Sequence, residues 1–321
     1  MIIEAHLLKF LRRIYSVLNP ESSSFGRNWK MYPSKEYAND LIFNTLIKRG
    51  PVMVSRFGAF ELNCLVNYIG IKESKGAYKD YIRGKSPEWW WNKTMINFLH
   101  TNAGFFPKEE KKIVQFCELM LKDIQEIDIL GTWLKEERFV QKGLTQAKRV
   151  ILEDLEPFFS KNPWTKALES KKVLVVHPFS ETIEEQYKKR TLLFDNNLLP
   201  DFNLKTIKSV QSISGIETGF ADWFEALEYM KTQIDSVDYD ICIIGAGAYG
   251  LPLAAHVKRK GKQSVHLGGA TQLLFGIKGR RWVDNPMLYY PYVNLFNNHW
   301  IYPLGVNKPP KADKVEDACY W

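Results

Sequence analysis

Apolar and polar positions along this chain follow two periods. Short apolar runs of strand length fall at Val52–Phe57, Ile127–Leu130, Val150–Leu152, Val173–Val176, Leu204–Val210, Ile241–Ile244 and Ser264–Leu267. Segments with helical spacing lie before and between them: Leu7–Leu18, Tyr37–Lys48, Glu61–Tyr68, Ser86–Leu99, Lys108–Ile124, Ala221–Gln233 and Leu251–Lys260. Thr182 and Glu185 have capping-box spacing for one more helix after Val173–Val176. Strands alternating with helices predict an α/β fold, a single Rossmann-like, doubly wound and mainly parallel sheet. Residues 1–50 read as an N-terminal helical extension and 51–321 as one Rossmann-like domain. Asn19–Ser34 reads as a loop, and Pro286–Pro310, aromatic and proline-rich, as an irregular C-terminal cap.

Ligands on such sheets bind outside the carboxyl ends of the strands. Three turns fall there and are expected to share one cleft. The first is Ser55-Arg56-Phe57-Gly58-Ala59-Phe60-Glu61. Arg56 suits a bidentate grip on phosphate. Glu61 suits a divalent metal or a proton-accepting role. The two together also suit a plain surface ion pair. The second turn carries His177 and Glu181. His177 reads either as a base or phosphate ligand, or as a satisfied histidine beside a helix start, and Glu181 complements the helix dipole. The third is Gly245-Ala246-Gly247-Ala248-Tyr249-Gly250, between a strand and a helix that Gly261 ends. Such a turn brings backbone N–H groups to an anion at a helix N-terminus, so Gly245, Gly247, Tyr249 and Gly250 are candidate phosphate contacts. Its G-x-G-x-x-G spacing also fits NAD, but the next strand ends His266-Leu267-Gly268-Gly269 with no carboxylate for the ribose. Packing alone also explains the glycines.

Charge sharpens this picture. The net charge of +8 suits an anionic partner, and Lys278, Arg280 and Arg281 cluster after the Gly268-Gly269 turn. There they would neutralise a diphosphate leaving group or form a solvated loop. Nucleic acid is not favoured, because no RNP motif, zinc finger or long basic tail is present. Cys64, Cys117, Cys242 and Cys319 are far apart, with neither metal-ligand spacing nor a disulfide framework, which fits a reducing, cytoplasmic setting. No run reaches about 18 apolar residues. The amphipathic, basic N-terminus is expected either to pack on its own domain or to touch the inner membrane surface through Lys9, Arg12 and Arg13.

SRFGAFEL, NAGFFP, HPFSETI, IGAGAYGLPLA, HLGG, FGIKGRRW and a closing CYW, in that order over roughly residues 50–321, resemble bacterial glycosyltransferases of the GT-D fold class and their polysaccharide-locus relatives. The resemblance implies a nucleotide-sugar donor, a UDP-sugar foremost, and a surface-glycan, lipid-linked or glycoprotein acceptor. For such a donor the candidate contacts are Arg56, Gly58, the two glycine turns and Lys278. It also implies a Mn2+ or Mg2+ site at an R-F-G-D-G-E motif. This chain has Ala59 where that motif has its aspartate and keeps Glu61. Glu61 alone, another acid, or the cations Lys278, Arg280 and Arg281 would then do the metal's work. The expected activity is hexosyl transfer, with Glu61 or His177 on the acceptor side. An NAD-holding oxidoreductase or epimerase and a non-catalytic glycan-binding relative are the alternatives.

Overall fold

The computed structural model describes residues 2–19, 34–284, 292–308 and 319–321. The expected loop over 20–33 and parts of the C-terminal cap, 285–291 and 309–318, lie outside the described residues. In chain order the helices and strands are α1 (Ile2–Leu18), α2 (Lys35–Leu46), β1 (Val52–Arg56), α3 (Ala59–Glu73), α4 (Tyr78–Ile82), α5 (Lys93–Thr101), α6 (Glu110–Asp123), β2 (Ile129–Thr132), β3 (Lys148–Ile151), β4 (Lys172–His177), α7 (Ser180–Tyr187), α8 (Arg190–Leu193), β5 (Asn203–Lys208), α9 (Trp223–Asp235), β6 (Ile241–Ile244), α10 (Gly250–Arg259), β7 (Gln263–His266), α11 (Ala270–Leu274) and α12 (Arg280–Val283). The described strands form one parallel sheet of seven, ordered β3-β2-β1-β7-β6-β4-β5.

Both sheet faces are covered, as an all-parallel sheet requires. Successive strand residues point to opposite sides. Met53, Leu174, Val176 and Ile244 enter one apolar cluster with Leu62 and Leu65 of α3, Phe116 of α6, Trp223 of α9 and Leu253 of α10. Val54, Val173, Val175 and Ile243 enter a second cluster with Ile42 of α2, Trp164, Ile183 of α7, Leu273 of α11 and Trp300. Helix α2 belongs to this second core, so the packed body begins before residue 50.

Local chemistry sets the helix starts. Ser34 accepts from Tyr37 N at 3.2 Å, Asn92 from Met95 N at 3.2 Å and Asp222 from Glu225 N at 2.9 Å. The helix expected from Ser86 begins only at Lys93. Buried Asn67 explains the delay: its amide donates to Glu88 O at 3.1 Å and Trp90 O at 2.8 Å, and its oxygen accepts from Asn92 N at 3.0 Å. These bonds hold 88–92 irregular. The Thr182–Glu185 capping box does not form, because α7 already starts at Ser180. The Thr182 hydroxyl instead donates to Asn307 Oδ1 at 2.5 Å and accepts from Leu304 N at 3.1 Å, which ties the C-terminal region to α7.

Topology then fixes where a ligand fits. From β4 the chain leaves through α7 on the second face, and from neighbouring β6 it leaves through α10 on the first. From β1 it leaves through α3 on the first face, and from neighbouring β7 through α11 on the second. Neighbouring strands whose chains depart to opposite faces open a crevice at their carboxyl ends. In this sheet β1–β7, β7–β6 and β6–β4 all meet that condition, so the openings run together across its centre.

Candidate active site

One cleft of about 200 Å³ spans these strand ends. Arg56, Gly58 and Glu61 line it from β1 and α3, Trp133 from β2, His177 from β4, Ser209–Ile213 from β5, Gly245–Gly247 from β6 and His266, Gly268 and Gly269 from β7. Arg281, Tyr320 and Trp321 close one side, and Asn102 and Ala103 of the NAGFFP loop another. The three turns singled out in the sequence therefore meet.

Arg56 is the main cation of this cleft. Its Cζ sits 5.0 Å from the Trp133 ring centroid, and its Nε is enclosed without a hydrogen-bond partner. Burial lowers the guanidinium pKa. The nearby Tyr320, Glu61 and Glu156 oppose that shift, and Arg281 adds to it. An arginine remains protonated through such shifts. An enclosed donor without an acceptor is unusual and costs free energy. Trp133 is itself held firmly. Its Nε1 donates to Phe57 O at 3.0 Å, and its amide donates to buried Glu137 at 3.0 Å. Glu137 also accepts from Thr132 Oγ1 and Leu134 N and pairs with Arg149 at 3.3 Å. Trp133 escaped the sequence reading; its position just past β2 at the carboxyl edge was the available signal.

Glu61 is buried in the first turn of α3, and its carboxylate folds back over Gly58, where an added Cβ would lie 2.0 Å from Oε2. At Gly245 a Cβ would lie 2.7 Å from Gly268 O, from His177 Cδ2 and from Thr271 Oγ1, so this glycine lets two turns and a histidine close together. Within the third turn Gly245 N donates to Val176 O, Ala248 N to Ala103 O and Tyr249 N to Ala246 O. Among the described residues, the amides of Ala246 and Gly247 are left as its uncommitted donors. Gly268 has φ +61°, and a Cβ there would lie 2.8 Å from an Arg56 guanidinium nitrogen.

Other expected contacts have structural employment. Tyr249 reaches the cleft wall, but its ring stacks on Trp223 at 5.0 Å and its hydroxyl meets Ser212 at 2.8 Å. Gly250 packs against His266, where a Cβ would lie 2.2 Å from Nε2. Glu181 pairs with Lys208 at 2.6 Å and accepts from Asn307 at 2.6 Å. Lys278 lies over Phe296, 5.9 Å from its centroid, and Arg280 is exposed and paired with Asp284 at 2.9 Å. Neither lines the cleft. Of the basic cluster only Arg281 does, with its Cζ 4.7 Å from the Tyr320 ring. Adjacent residues of a helical turn point about 100° apart, so the arginine pair splits between cleft and solvent.

Of the readings open for His177, base, phosphate ligand or satisfied histidine, its surroundings fit a neutral donor better than a base. Phe179 N donates to its Nδ1 at 3.0 Å, so the neutral ring carries its proton on Nε2 and offers a donor there. Burial pushes its pKa down to about 3. His266 is also pushed down to about 3, by burial and then by the Arg56 charge, and its Nδ1 lies 3.1 Å from Ser55 Oγ. Glu61 is the single carboxylate among the described residues lining the cleft. No group of three or more His, Cys, Asp or Glu among the described residues could hold a metal. These residues do not fit an ion held by the protein alone.

Chemically, the cleft offers two arginines, free turn amides, a neutral imidazole donor, one carboxylate and aromatic walls. No protein-family model, no curated protein and no solved structure matches this chain.

Proposed function

We propose that the chain transfers a hexose from a nucleoside diphosphate sugar, a UDP-sugar foremost, to a surface-glycan, lipid-linked or glycoprotein acceptor. The observation that carries this reading is Arg56, whose enclosed Nε has no acceptor and which lies beside Gly268 at a strand-end crevice. A diphosphate would supply that acceptor. Arg56 and Arg281 compensate the charge that builds on the departing diphosphate. The Ala246 and Gly247 amides hold its oxygens. The His177 Nε2–H donates to an oxygen of the donor, and Trp133, Tyr320 and Trp321 offer flat apolar faces to base or sugar. Glu61 accepts the proton of the attacking acceptor hydroxyl. The resemblance in the strand-end motifs supports the same reading.

Calorimetric titration with UDP, GDP and NAD tests it. UDP or GDP is expected to bind, and Arg56→Ala to weaken that binding. NAD binding with no nucleoside diphosphate binding would overturn the proposal in favour of an oxidoreductase or epimerase. Nucleoside diphosphate binding with no turnover on any donor and acceptor would instead favour a non-catalytic relative, which Ala59 in place of an acid makes specific.

A further inference from the structure

Helix α1 has two unlike faces. One holds it to the protein: Leu8 is buried, Arg12 stacks on Tyr81 at 4.7 Å, Lys9 pairs with Glu88 at 3.2 Å, and the Tyr78 hydroxyl donates to Glu4 at 2.8 Å. Lys9 and Arg12, expected to face a membrane, are thus engaged with the protein. The other face carries Leu7, Phe10, Leu11, Ile14, Val17 and Leu18. Their spacing puts them on one stripe, and they are 37% to 74% exposed. A contiguous exposed apolar stripe marks an interaction surface.

Two further observations select the partner. The segment against which α1 packs exposes Lys75, Lys79, Arg83 and Lys85, with Glu73 and Asp80 the only acids between 73 and 85. At the same place Tyr78 is 47% exposed and sits 5.2 Å from Trp89. Amphipathic rings, a basic rim and an apolar helix stripe are together what an anionic bilayer surface accepts. A second copy would bring the same cations face to face across a two-fold axis, which is repulsive. No described helix is long and apolar enough to cross a membrane. We infer that this face docks on an anionic lipid surface, with α1 lying in the interface plane and its apolar stripe among the acyl chains.

The test is flotation of the full chain with vesicles of phosphatidylcholine alone and of phosphatidylcholine containing phosphatidylglycerol. The chain is expected to float with the anionic vesicles, hardly at all with the neutral ones, and to be released by salt. Each surface cation is worth about fivefold in partitioning, so Lys79→Ala with Arg83→Ala should lower recovery constants about 30-fold. Phe10→Ser with Ile14→Ser should abolish flotation. Circular dichroism and thermal melts establish that each variant is folded, and neither arm depends on the activity proposed above. A folded wild-type chain that stays with the lipid-free fraction overturns the inference. So does flotation that is equal on both vesicles and indifferent to salt. A concentration-dependent dimer dispersed by Phe10→Ser, without flotation, would give the stripe to a second copy.

Discussion

The two ends of the sheet handle charge in opposite ways. At the amino ends, charged groups meet partners within the chain. Asp128 accepts from Met53 N at 2.8 Å and pairs with Lys258 at 2.9 Å, Asp240 accepts from Lys172 N at 2.9 Å, and Arg259 pairs with Asp123 at 2.6 Å and Glu126 at 2.9 Å. At the carboxyl ends, Arg56 keeps an enclosed nitrogen with no partner, and two histidines are held neutral. At the first edge Asp123 Oδ2 also lacks a hydrogen bond, but its carboxylate is paired through Oδ1; at the second the enclosed Arg56 nitrogen lies at an open cleft. Unpartnered buried donors and shifted titrations of this kind concentrate at functional sites.

The largest expected effects break that contrast edge by edge. Arg56→Ala should weaken UDP binding about 100-fold or more, since charge-assisted hydrogen bonds contribute about 1.5–3 kcal/mol each. Its melting temperature should change little, because losing the unpartnered Nε offsets the loss of the cation from Glu61, Glu156 and Trp133. Arg259→Ala should do the reverse. It strands the buried Asp123 carboxylate and should cost about 3 kcal/mol of stability, with UDP affinity unchanged. Urea melts and calorimetry on both variants read the two quantities. Equal loss of stability in both would erase the distinction between the edges.

A glycine pair sharpens it. Gly261 ends α10 at the amino edge with φ +78° and nothing within 4 Å of an added Cβ. Gly268 has φ +61° with the Arg56 guanidinium 2.8 Å from that position. Alanine in the left-handed region costs about 1 kcal/mol at either site. Gly261→Ala should lose only that. Gly268→Ala should also push Arg56 aside and weaken UDP about tenfold, roughly 1.4 kcal/mol. Parallel titrations of the two variants would show it, and identical affinities would detach Gly268 from the binding of Arg56.

The histidines give a smaller, pH-dependent effect. The folded-state pKa of His177 is lowered from 6.5 to about 3. Between those values the unfolded chain binds the extra proton, so stability is full above about 6.5 and falls as pH drops. One such histidine contributes at most about 1.4 kcal/mol per pH unit in that window. Asp123 works the other way at the amino edge. Its pKa is raised from 3.8 to about 6 by burial, so its contribution is present at low pH and lost as pH rises through about 6. His177→Asn should flatten the rise of melting temperature with pH, and Asp123→Asn should steepen it. Thermal melts across this window decide the signs.

The sequence showed the fold well because both cores depend on periodic apolar positions, and all seven described strands overlap the short runs of strand length. It showed the location of the cleft because a glycine turn after a strand is a local signal. It did not show what side chains do once there. Nothing local in Ser86–Leu99 reveals that Asn67 holds 88–92 out of a helix. Nothing at His177 reveals that Phe179 N fixes its tautomer. Trp133 supports Arg56 through Glu137, Thr132 and Arg149, a network that exists only after β2 and β3 pair. Short helices such as α11 and α12 carry too few residues to show a period.

The smallest effect tests the arginine pair that the sequence could not separate. Arg281 lines the cleft, donates from its guanidinium to Cys319 Sγ at 3.4 Å and lies against Tyr320. Arg280 is one residue earlier in α12, turned to solvent, with its side chain 50% exposed and paired to an Asp284 that is 45% exposed. In water such a pair contributes about 0–0.5 kcal/mol, because solvent screening and side-chain entropy offset the attraction. Arg280→Ala should therefore change turnover by no more than about twofold and leave the melting temperature nearly fixed. On the proposed reading Arg281→Ala removes a donor from the diphosphate and should slow turnover about 100-fold, in the range of other lost transition-state donors. Steady-state kinetics on the two variants with one UDP-sugar donor give the ratio directly. Comparable losses would mean that α12 turns both arginines to the ligand when the cleft fills, and the division between a finished surface and an unfinished cleft would then shift during the reaction.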